Sequence, residues 1–195
     1  MTRSSRDWIC TFSGGQYWPA DPRTEDVRIV DIAHSLAYQC RYTGHCRKYF
    51  SVAEHSVLVS EVVLPEHALA GLLHDAPEAY IHDISGPLKR SLPDYRRVED
   101  LNWRVIAERF GLDYEMHPSI HQADVVVLLT EMKHLLPPLL WDHGMRGEPA
   151  DVQIMCLPPE EAEELFLHRF YELTRGRSGY VYYGIDAFTV EGCAA

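Results

Sequence analysis

The sequence predicts an all-α fold. Apolar residues recur at helical spacing in several separate stretches, caps and stop signals bracket those stretches, and no strand runs suitable for an α/β sheet occur. Residues 12 to 24, with Gly14-Gly15, Pro19 and Asp21-Pro22, read as an irregular lead-in. Its Tyr17 and Trp18 are candidates to cover a pocket or to pack on a neighbouring helix. From Thr24 to Gln39, acidic Glu25 and Asp26 open an early turn, and Val27, Val30, Ile32, Ala33, Leu36 and Ala37 continue as a helix. Arg41 to His45 is a loop. Ser51 and Glu54 have the spacing of a capping box, which starts a helix running to Pro65. The next helix spans about Glu66 to Leu73, and Pro77 predicts a kink just beyond it. A long amphipathic helix runs from Asp94 to Phe110, with Val98, Leu101, Val105 and Ile106 inward and Gly111 as its stop. Another runs from Pro118 to Leu136 and ends at Pro137-Pro138. The last begins at Pro158-Pro159, sets the Glu160 to Glu164 acids at its positive end, and packs through Leu165, Phe166, Phe170 and Leu173. Tyr180 to Tyr183 read as a short C-terminal strand or an irregular tail.

The 195 residues suit a single domain, 1–195, with a core at about 24–175. Five cysteines, odd in number and without a CxxC pair, argue for reduced thiols rather than a disulfide framework. With no signal-peptide pattern and no membrane-length apolar run, the expectation is a cytoplasmic protein with no membrane partner. A net charge of -11 disfavours a nucleic-acid polymer as partner.

Chemistry is concentrated at His74-Asp75, which closes the apolar run from Ala68 to Leu73. An imidazole and a carboxylate buried there need partners, because either group unpaired costs several kcal/mol. A metal ion supplies one. His55 and Asp124 occur in similar apolar settings, so three segments offer ligands. Neutral imidazole and carboxylate donors suit Zn, Mn, Co or Fe. Three or four protein ligands leave room for a water whose pKa falls towards 7, and Glu78, four residues after His74, is placed to take its proton. Taken singly, each residue has an ordinary reading as a packed histidine, a cap or a solvated acid.

Together, Tyr49-Phe50-Ser51-Val52-Ala53-Glu54-His55-Ser56, Leu72-Leu73-His74-Asp75-Ala76-Pro77-Glu78-Ala79 and the distant Asp124 resemble the HD-domain metal-dependent phosphohydrolases. The likeness covers about Arg41 to Met132 and is strongest to small bacterial 5'-deoxynucleotidases and phage dATP or dNTP phosphohydrolases. It implies a helical bundle of the HD-domain type with one divalent ion (Mn2+, Co2+, Zn2+ or Mg2+) on His55, His74, Asp75 and Asp124. It further implies Glu78 and Asp75 as catalytic residues, and Arg41 and Asp83 as substrate contacts. Lys89 and Arg90 are weaker phosphate candidates by chain position. The implied partner is a small deoxynucleotide, and the implied assembly is a homo-oligomer, a dimer or larger.

The expected reaction is hydrolysis of a 5'-deoxynucleoside monophosphate to nucleoside and phosphate. A dNTP triphosphohydrolase and a non-catalytic, metal-stabilised nucleotide-binding or regulatory protein are the alternatives. No P-loop and no GxSxG elbow occur.

Overall fold

The computed structural model describes residues 7–138, 144 and 146–175. The expected strand or tail at Tyr180 to Tyr183 lies outside the described residues. A two-stranded antiparallel hairpin, β1 (Ile9–Cys10) and β2 (Gln16–Tyr17), precedes the helices α1 (Ile29–Tyr38), α2 (Val52–Val62), α3 (Ala68–Leu73), α4 (Glu78–Ile81), α5 (Gly86–Ser91), α6 (Pro93–Phe110), α7 (Pro118–Leu135) and α8 (Pro159–Leu173). Short 3-10 turns at Thr24–Asp26 and Pro65–His67 lead into α1 and α3. The described part is mostly helical, and none of its helices is long and apolar enough to cross a membrane.

α2 is the axis. Residues 51 to 60 are all buried, so the helix is enclosed rather than amphipathic, and it touches α1, α3, α7 and α8. Its buried polar groups must then be satisfied inside the protein. Ser51 Oγ accepts the Glu54 N–H at 3.0 Å, Ser56 donates to the Val52 carbonyl, and Ser60 accepts from Arg169 Nε of α8 at 3.0 Å. The Ser51 half of the expected capping box is therefore present. Glu54 departs from that expectation: its carboxylate accepts the main-chain N–H groups of Met155, Cys156 and Leu157 at 2.7, 3.0 and 2.9 Å. Three successive donors outcompete the single one a capping box offers, and they strap the segment before α8 onto α2.

Two apolar clusters flank this axis. One joins α1, α3, α6 and α8 through residues such as Ile32, Leu36, Leu72, Ile106, Phe166 and Phe170. The other lies between α2 and α7, around Phe50, Leu58, Val59, Ile120 and Val127. α3 can lie close to α2 because of Gly71, where a Cβ would come within 2.9 Å of Val63 Cγ1.

Four expectations need correction. Residues 12 to 24 are not wholly irregular: Ile9 pairs with Tyr17 and Cys10 with Gln16, across a turn at Gly14 (φ 80°). Of the two readings for Tyr17, packing on a neighbouring helix is the one observed. Its side chain is fully buried, stacks on Tyr80 at 3.7 Å and donates to Asn102 Oδ1 at 2.6 Å, so the core begins upstream of residue 24. The buried face of α6 is Asn102, Trp103, Ile106, Ala107 and Phe110, which leaves Val98, Leu101 and Val105 half-buried. Finally, the kink at Pro77 is a full break. α3 stops at Leu73, and the chain passes through tight turns, with Ala76 N–H on the Leu73 carbonyl and Glu78 N–H on the Asp75 carbonyl, before α4 begins.

Candidate metal centre

That break positions the site. His74 and Asp75 lie in the turn after α3, His55 faces them from α2, and Asp124 comes from α7. One donor atom each from His55, His74 and Asp124 falls within 4.8 Å of the others. Asp75 Oδ2 flanks this group, 3.2 Å from His74 Nε2 and 3.7 Å from His55 Nε2. All four expected ligands therefore meet at one place, although the mutually closest set contains three of them.

The imidazole orientations follow from the opposite ring nitrogens. His74 Nδ1 lies 2.8 Å from the Gly71 carbonyl, which only accepts, so this nitrogen carries the hydrogen. His55 Nδ1 lies 2.5 Å from Glu131 Oε1 and donates to that carboxylate. Both Nε2 atoms therefore point their remaining valence at the Asp75 and Asp124 carboxylates. Both are buried and, among the described residues, neither has a hydrogen-bond partner, although His55 Nε2 lies 3.2 Å from Asp124 Oδ1. Buried polar atoms are rarely left so. Two orphaned imidazole nitrogens beside two carboxylates fit a divalent cation.

Electrostatics agree. Burial opposes charge on His74, yet Asp75 and then Asp124 outweigh it and push the group up to about 9. Burial and Arg41 oppose charge on His55, but Glu131 and Asp124 prevail and raise it. Conversely, burial would raise Asp75 and Asp124, and the facing histidines hold both below the usual carboxylate range. The carboxylates thus favour positive charge on both imidazoles. One divalent cation between neutral imidazoles supplies the same formal charge.

Glu131 is one residue that sequence reasoning missed. It is fully buried on α7, two turns beyond Asp124, and gathers His55 Nδ1, Tyr42 OH at 2.6 Å and Arg41 Nε at 3.1 Å. Against the cost of burial, Arg41 and His55 keep it ionised. A carboxylate on the rear nitrogen of a metal-binding histidine fixes its tautomer and increases its basicity. The available signal was a lone acid seven residues after Asp124, just beyond the apolar run Val125 to Leu129.

Of the expected substrate residues, Arg41 reaches the centre, with Nη1 3.7 Å from Asp75 Oδ2. Glu78 is buried beside it, and Glu78 Oε2 has no hydrogen-bond partner among the described residues. Burial first, then Asp75 and Asp83, raise its proton affinity well above that of an ordinary glutamate. Asp83 is thus close enough to influence Glu78, and its main-chain N–H is held by Gln39 Oε1 at 2.9 Å. The Gln39 amide also donates to the Glu78 carbonyl at 3.0 Å, so this residue, likewise missed, clamps both acids. Lys89 Nζ lies 3.3 Å from Glu78 Oε1 and is also bonded to Glu99, which engages it as an internal counter-charge. Arg90 is exposed on α5.

No family model matches the chain. It is, however, 40% identical over 173 residues to the uncharacterized protein YfdR of Escherichia coli K12, covering 87% of this chain and 97% of that protein. The chain belongs to the YfdR family. A second relative, an uncharacterized protein of Rhodobacter capsulatus, is 32% identical over 194 residues, covering 89% of this chain and 99% of its own length. The likeness to YfdR over nearly its whole length spans every residue of the centre, from Arg41 to Glu131.

Proposed function

We propose that this YfdR-family chain is an HD-type, metal-dependent phosphohydrolase that cleaves a 5'-deoxynucleoside monophosphate into nucleoside and phosphate. The observation that carries the reading is the pair of buried, unpartnered Nε2 atoms of His55 and His74 facing Asp75 and Asp124, with Glu78 and Arg41 alongside. The resemblance of their sequence segments to HD-domain phosphohydrolases supplies the reaction class.

His55, His74, Asp75 and Asp124 hold the ion, with Mn2+, Co2+, Zn2+ and Mg2+ as the candidates. Such an ion contributes Lewis-acid polarisation of a phosphoryl oxygen and a more acidic water. The remaining work falls to the side chains. Arg41, already turned to the centre by Glu131 and Asp75, offsets negative charge on the phosphoryl oxygens. Glu78 accepts the proton of the attacking water at Oε2, the atom that has no partner among the described residues. A raised proton affinity suits it to that task. Gln39 holds the backbone of Glu78 and Asp83 in register, leaving Asp83 to contact the sugar.

Product analysis tests the proposal. The protein is incubated with each dNMP and dNTP in the presence of Mn2+, Co2+, Zn2+ or Mg2+. Nucleoside plus orthophosphate from a monophosphate supports the reading, and release of intact tripolyphosphate from a dNTP replaces it with a triphosphohydrolase. The Glu78→Gln variant retains bound metal and loses about 10²- to 10⁴-fold of the rate. Metal binding without turnover of any nucleotide marks a binding or regulatory protein and overturns the enzyme assignment.

A further inference from the structure

Cys40 and Cys46 bracket the loop that delivers Arg41 and Tyr42 to the centre. Their Sγ atoms lie 3.5 Å apart, and Cys46 Sγ also faces the Arg41 carbonyl at 3.7 Å. Between them the chain reverses through three successive positive φ angles, 58° at Tyr42, 53° at Thr43 and 76° at Gly44. The arms of the loop are tied: Cys40 forms a β-bridge with Ser51, Arg41 N–H donates to the Phe50 carbonyl, and Arg47 N–H donates to the Leu135 carbonyl. The fold therefore holds the two thiols adjacent. Both are half-buried, which leaves them within reach of a small reagent.

We propose that Cys40 and Cys46 are a reversible redox-modification site, closing an intramolecular disulfide by exchange with a low-molecular-weight disulfide such as oxidised glutathione. In the first step the Cys40 thiolate attacks the reagent's S–S bond and expels one glutathione thiolate, leaving a mixed disulfide. In the second, the Cys46 thiolate attacks the Cys40 sulfur and expels the other. The protein loses two protons and two electrons, and the one glutathione disulfide becomes two glutathione thiols. Burial and the contact with Cys40 push the Cys46 thiol up to about 11, so the second step, which needs its thiolate, speeds up as pH rises towards that value. An S–S bond of about 2.05 Å requires the sulfurs to approach by roughly 1.5 Å. The closed seven-residue ring then fixes the chain on either side of Arg41. This site stands whether or not the centre hydrolyses a phosphate ester.

The experiment exposes the folded full chain to oxidised glutathione and reads its intact mass and its non-reducing peptide map. The expected result is loss of two hydrogens per chain, a single crosslink joining Cys40 to Cys46, and return to the starting mass on reduction. Cys46→Ser should instead keep one glutathione on Cys40, while a Cys10→Ser, Cys156→Ser, Cys193→Ser variant should still lose two hydrogens. Wild type that only accumulates glutathione, a chain folded by circular dichroism whose mass is unchanged, or a crosslink mapping to another cysteine pair overturns the proposal.

Discussion

At the scale of single residues, the centre depends on what lies behind its ligands. His55 presents Nε2 forward because Glu131 holds Nδ1, and Glu131 stays ionised because Arg41 and His55 surround it. Replacing Glu131 with glutamine keeps the shape and removes the charge. We expect Glu131→Gln to weaken divalent-metal binding by about 10- to 100-fold, measured by competition with a chromophoric chelator. Unchanged affinity would reduce Glu131 to a structural acid. His55, His74 and Asp124 were legible in the sequence because each places a polar group within an apolar run. Glu131 does the same, but its meaning comes from Arg41 and Tyr42, about ninety positions earlier, and no local spacing shows that pairing. The partners of Lys89 were hidden for a related reason: Glu78 and Glu99 become its neighbours only in the folded chain.

At the scale of elements, starts and stops were largely written in the sequence. Ser51 caps α2, Pro118 opens α7, and Gly111 ends α6 with φ of 66°. These signals are local and need no tertiary partner. What escaped was decided across the molecule: the Glu54 carboxylate taken by residues 155–157, and the hairpin fixed by burial of Tyr17 against Asn102 and Tyr80. Gly71 illustrates how an element serves the site. It lets α3 approach α2, and its carbonyl orients His74. Alanine would gain up to about 1 kcal/mol of helix propensity. A Cβ 2.9 Å from Val63 Cγ1 overpacks the contact at a cost of about 1–3 kcal/mol, so the cost wins. Gly71→Ala should therefore lower the free energy of unfolding by about 1 kcal/mol net, and with it the denaturant midpoint. A midpoint that stays or rises would mean that α3 and α2 are not so tightly apposed.

At the scale of the whole molecule, the fold collects like charges and must neutralise them. In the metal-free protein, His74 is raised from 6.5 to about 9. Its stabilising contribution is therefore complete below about pH 6.5 and is lost as pH rises through about 9. Asp75, Asp124 and Glu131 are lowered, so their contribution is present above the usual carboxylate range and is lost on acidification. Metal binding must displace the imidazole protons, so affinity rises with pH across the same interval. Thermal unfolding should accordingly show a gap between metal-loaded and metal-free protein that widens from about pH 6 to 9. A gap that narrows over this range would contradict histidine ligation. The most direct test of the central claim is metal content after reconstitution of wild type, His55→Ala, His74→Ala and Asp124→Ala, read by elemental analysis. The account predicts one divalent ion per wild-type chain and its loss from each folded variant. No ion in wild type, or the same content in all four proteins, would contradict it.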